Sequence, residues 1–142
     1  MTGFPMPADV ATAVQRFLRG KGFNAVADVP LDRVPGTVRV SRTAGEPLNP
    51  RQERARVLIE VWANGQRASF QLARRVWLAF ANVARDDPGA FPGIYQYETV
   101  PGIPVEFPDP YAELMSRHQF EVTMLVRFDE AQKEEVDGEV VP

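Results

Sequence analysis

Few residues in this 142-residue chain can do chemistry, and their types narrow the possible reactions at once. Cysteine is absent and His118 is the single histidine. Disulfides, iron–sulfur and thiolate–zinc sites, a cysteine nucleophile and any site needing two imidazoles are therefore excluded. Ser41, Ser69 and Ser116 are the only serines. Ser116 stands two residues from His118, but that spacing on a strand does not make a catalytic pair. Nucleophilic catalysis also needs a base and an orienting group. His118 reads instead as a satisfied or surface histidine. Asp86-Asp87 could hold a metal, yet adjacent carboxylates ahead of Pro88-Gly89 at a helix end have the composition of a turn. No Walker loop and no G-x-G-x-x-G after a strand occurs. No catalytic, metal or cofactor-binding residue is assigned, and the chain is read as a non-enzyme that needs no cofactor.

What remains is charge, and its placement says more than the net of −3. Between positions 39 and 75, Arg39, Arg42, Arg51, Arg54, Arg56, Arg67, Arg74 and Arg75 face only Glu46, Glu53 and Glu60. Positions 86–113 carry six acids and no Lys or Arg, and positions 129–142 carry six acids against Lys133. Fourteen of the sixteen basic residues are arginine, whose planar fork suits interfaces and phosphates. Tyr95 and Tyr97 near these arginines are the material of a sheet-based nucleic-acid stacking surface. No RNP-type signature accompanies them, and the acidic total opposes that reading.

The elements that would position these groups follow from periodicity. Val10, Ala13, Val14, Phe17 and Leu18 make one apolar face, predicting a helix over 8–20 that Gly20 and Gly22 stop. The prolines of 29–36 exclude a central strand. Alternation predicts strands over 37–43 and 54–63, the second with Val57, Ile59, Val61 and Ala63 on one face and Arg56, Leu58, Glu60 and Trp62 on the other. Residues 44–53, with Glu46, Leu48 and Arg51, read as a long polar loop that projects from the sheet. A second helix is predicted over 66–85, with Asn64 as its N-cap. Its apolar arc spans roughly 200°, twice the ~100° stripe that one sheet requires, and Leu78 stands apart on the polar side. Strands over 94–100 and 117–128 flank a Pro-rich excursion at 101–110. The later strand turns Phe120, Val122, Met124, Val126 and Phe128 inward.

The order α-β-β-α-β-β predicts an α+β domain over 1–128: a mostly antiparallel four-stranded sheet with helices packed on one face. Residues 129–142 read as an acidic, disordered tail. No apolar run approaches the roughly 20 residues of a membrane span, and the first residues lack the regions of a signal peptide.

Short strings within this pattern resemble the tail-terminator proteins of long-tailed bacteriophages, in particular the actinobacterial phage and prophage type. They are Val38-Arg39-Val40-Ser41-Arg42-Thr43, then Val57-Leu58-Ile59-Glu60-Val61-Trp62-Ala63, and Gln71-Leu72-Ala73-Arg74-Arg75-Val76-Trp77 in the second helix. The closing stretch, Pro108-Asp109-Pro110 and then His118 to Arg127, is similar to the family's last loop and strand. The likeness covers 10–128; the acidic tail and the proline-rich loop depart from it. The resemblance implies a structural virion protein that forms a ring of six subunits at the head-proximal end of the tail. There it stops tube polymerisation and offers the surface for head–tail joining. The implied partners are copies of itself, the tail tube protein and a head-completion or connector protein, with DNA passing through the ring without sequence-specific recognition and no membrane involved. The implied location is the virion tail, and the host cytoplasm during assembly. Alternatives are another neck or head–tail connector protein, or a nucleic-acid-binding α+β module.

A head-to-tail ring needs two complementary surfaces on each subunit. Arg39, Arg42, Arg54 and Arg56 are assigned to a basic side, and Glu98, Glu106 and Asp109 to an acidic side. The loop residues Glu46, Leu48 and Arg51 are assigned to a projecting contact. Leu72 and Leu78 are assigned to the apolar surplus that supplies most of the association energy.

Overall fold

The computed structural model describes residues 5–130. A two-residue strand β1 (Pro5–Met6) leads into helix α1 (Val10–Gly20), whose N-terminus is capped by Asp9 accepting from the Thr12 amide at 3.3 Å. Its five periodic apolar residues are all buried. A short strand β2 (Asn24–Val26) follows, then β3 (Thr37–Asn49) and β4 (Gln52–Ala63). Helix α2 (Gln66–Ala81) crosses to β5 (Gln96–Pro101), β6 (Val105–Glu106) and β7 (Ser116–Arg127), and β8 (Asp129–Glu130) ends the described chain.

The main sheet has six strands, in the order β2-β3-β4-β7-β5, with β6 also pairing β7. β4 is its spine. All twelve of its residues pair antiparallel with β7 without a bulge, from Gln52↔Arg127 to Ala63↔Ser116. The alternation of both strands survives that register, so Val57, Ile59 and Val61 share a buried face with Phe120, Val122, Met124 and Val126. The two helices join the same core cluster, and Phe17 of α1 packs against Phe80 of α2 and against Phe91.

The architecture is mixed α+β, but the four-stranded expectation is corrected in two places. β2 adds a parallel edge strand beside β3, through Asn24↔Thr37 to Val26↔Arg39. Three residues carry too little periodicity to reveal a strand. The Pro-rich excursion also stays on the sheet. β5, the Gly102 amide (2.7 Å from the Glu121 carbonyl), β6 and the Phe107 amide (2.9 Å from the Arg117 carbonyl) run in series along one edge of β7. Prolines are tolerated there because an edge strand need not donate from every amide.

Three further expectations change. The 44–53 loop is mostly ladder: β3 and β4 stay paired to Asn49↔Gln52, through two irregularities, leaving only Pro50 and Arg51 as the turn. Asn64 does not cap α2. Gly65 occupies the cap position with φ +99°, a conformation that suits glycine, and no side chain bonds there. Asp129 and Glu130, expected to open the tail, pair with Met6 and Pro5. Residues 131–142 lie outside the described residues.

Candidate interaction surfaces

On the outer face of the sheet, opposite the helices, Trp62 is fully buried although it alternates outward. Its cover is built by two loops. Arg33 and Asp109 close over it with Arg33 Nε 3.2 Å from Asp109 Oδ2, which also accepts from Trp62 Nε1 at 2.8 Å. Arg33 and Arg117 lie over the indole at 5.6 and 5.9 Å. Arg117 continues to Glu60 at 3.0 Å, and Arg39 reaches the other oxygen of Glu60 at 3.4 Å. Burial alone would raise the Asp109 pKa. The Tyr111 amide, the Trp62 N–H and the charges of Arg33 and Arg117 outweigh it and hold the carboxyl below its usual value. The placement of Asp109 on an exposed acidic side is therefore corrected: it is 5% exposed and organises the interior of this cover.

Arg42 is half-buried and likewise engaged within the fold. It shares the parity of Val38 and Val40, so it turns to the core side and pairs with Glu53, itself 2% exposed. Together they grip Ala8: its amide donates to Glu53 Oε2 at 3.0 Å and its carbonyl accepts from Arg42 Nη1 at 3.2 Å. A β-carbon at Gly45 would fall within the Arg42 guanidinium, so glycine there makes room for the latch.

The remaining assigned residues are more exposed. Arg54 bonds Glu46 at 3.1 Å, and Arg56 lies 3.9 Å from the same carboxylate, so the arm balances part of its own basic charge. Leu48 is 42% exposed at the arm's tip, and Arg51 is exposed in the turn. Glu98 pairs with Arg85. Glu106 is exposed and accepts from Gln66 Nε2 at 3.3 Å and Ser116 Oγ at 2.9 Å. The two leucines of α2 separate: Leu72 is in the core, correcting its assignment to the apolar surplus, whereas Leu78 is 53% exposed.

His118 meets Ser69 rather than Ser116. Its Nδ1 shares a hydrogen bond with Ser69 Oγ from α2, and the Phe70 ring lies 5.5 Å away. Both groups are buried, and burial lowers the His118 pKa against the opposing pull of Glu106. The pair pins the start of α2 to β7. Sequence separation of 49 residues concealed it. Asp86 and Asp87 are exposed in a turn, where the Asp87 carbonyl accepts from Gln96. Among the described residues no group of three or more His, Cys, Asp or Glu gathers as a metal site. Tyr95 and Tyr97 do adjoin an arginine. Arg127 lies 3.9 Å from the Tyr95 ring centre, covering one face of that ring, and donates to the Tyr97 hydroxyl. No helix is long and apolar enough to cross a membrane among the described residues. Neither a family model nor the sequence of a curated protein matches this chain.

Proposed function

We propose that this chain is a structural subunit that closes into a ring, six copies in the reading that the resemblance suggests, and caps the head-proximal end of a phage tail tube. The observation that carries the proposal is the β3–β4 arm. Residues 43–51 are exposed throughout, and among the described residues no strand pairs with the outer edge of β3 beyond Arg39. An unpaired edge of that length is a standing template for association, and proteins retain one where it is covered or used. The arm carries Glu46, Leu48, Arg51, Arg54 and Arg56, a mixed set suited to fixing register between subunits or against the tube. Exposed Leu31, Tyr111 and Leu114 at the far end of the sheet add apolar surface for a second contact.

Charge sets orientation in this arrangement and apolar burial supplies the affinity, since one exposed ion pair contributes about 0–1 kcal/mol. Electron microscopy of the purified protein mixed with isolated tail tubes tests the reading. Rings alone and rings seated on one tube end are the expected images. Binding confined to the portal side would identify another neck protein, and a monomer that ignores both would end the proposal.

A further inference from the structure

α2 and the β5–β6 edge leave a groove of about 410 Å³ between them, floored by Phe70, Trp77, Leu78, Ile103 and Pro104. Phe70, Leu78 and Ile103 are 41, 53 and 73% exposed, so the floor is apolar surface that the described chain leaves uncovered. Arg74 and Arg75 form its rim. They and Arg67, about two turns earlier, make no ion pair among the described residues, unlike Arg39, Arg42, Arg54, Arg56 and Arg117 of the sheet. The Trp77 Nε1–H is enclosed and has no acceptor among the described residues. A cationic rim and an apolar floor call for an occupant that is both acidic and apolar.

The sequence supplies one. Residues 131–142 hold Glu134, Glu135, Asp137 and Glu139 against Lys133, interleaved with Val136, Val140 and Val141. The geometry points to this segment as the occupant of its own chain's groove, with Val140 and Val141 on the floor and Asp137 and Glu139 toward Arg74 and Arg75. Reach permits it. Glu121 lies beside Gly102, and nine residues of β7 and β8 then lead to Glu130, a path of about 30 Å at ~3.3 Å per residue. Twelve extended residues span up to about 40 Å. The inference is independent of the ring reading: the groove lies on α2, away from the β3–β4 arm.

The absence of cysteine makes the test direct. A nitroxide attached to full-length Val140→Cys should broaden the Trp77 indole and Ile103 methyl NMR signals and spare Leu58 on the opposite sheet face. Arg74→Gln/Arg75→Gln, at two exposed helix positions, should restore most of the lost intensity, as should high salt. Absent or uniform broadening would overturn the inference, as would broadening that survives loss of both arginines. Broadening seen only when label and isotope sit on different molecules would assign the groove to a second copy and overturn it equally.

Discussion

Asp109 and Trp62 are joined by a 2.8 Å hydrogen bond across 47 residues of sequence, from a proline-flanked loop to the C-terminal end of β4 on the sheet's outer face. The bond lets an outward tryptophan be buried with its N–H satisfied, and the same carboxylate holds Arg33 over the ring. Asp109→Ala takes the carboxylate from Arg33 and the acceptor from the Trp62 indole. A loss of about 3 kcal/mol is expected, because removing one partner of a buried pair leaves the other uncompensated. Urea denaturation of the variant measures it.

The same carboxyl sets a pH window. Its folded pKa lies below the unfolded 3.8, so its contribution is complete above that value and is lost as pH falls through the folded pKa. His118 acts higher. Its folded pKa lies below 6.5, so the unfolded chain binds the proton first, and stability drains as pH falls from 6.5 toward the folded value. Unfolding free energies from pH 7 to 3 should decline in both windows. His118→Gln should flatten the upper one and leave the lower unchanged.

Leu72 and Leu78, six residues apart on α2, should respond oppositely to truncation. Leu72→Ala opens a core cavity and is expected to cost about 2–4 kcal/mol. Leu78→Ala should stay within about 0.5 kcal/mol, the usual range at the surface. Thermal melts of the two variants decide it, and equal losses would place Leu78 under cover.

What the sequence made legible was whatever repeats locally. The faces of α1, β4 and β7 could be read because each is set by a period of 3.6 or 2 within one element. The arm was misread as a loop because prolines and polar residues also suit an edge strand that faces water. Asp109 looked like surface charge and Arg42 like a docking residue, because their partners, Trp62 and Glu53, belong to other elements. Outward Trp62 was the available signal: a large ring there needs a cover and an acceptor. No comparable pattern announced the Ser69–His118 pair.

Glu46→Lys should separate folding from assembly. It removes the carboxylate shared by Arg54 and Arg56 at an exposed site, so stability should fall by less than about 1 kcal/mol. Ring formation should nonetheless fail, because the arm becomes uniformly basic. Denaturation and light scattering on the same preparation read both effects.

The most direct measurement follows tail-tube protein as it polymerises with and without this chain, with tube lengths scored by electron microscopy. The account predicts that tubes stop growing once the protein is added and carry a ring at one end only. Tubes that lengthen at an undiminished rate, with bare ends at saturating protein, would contradict it.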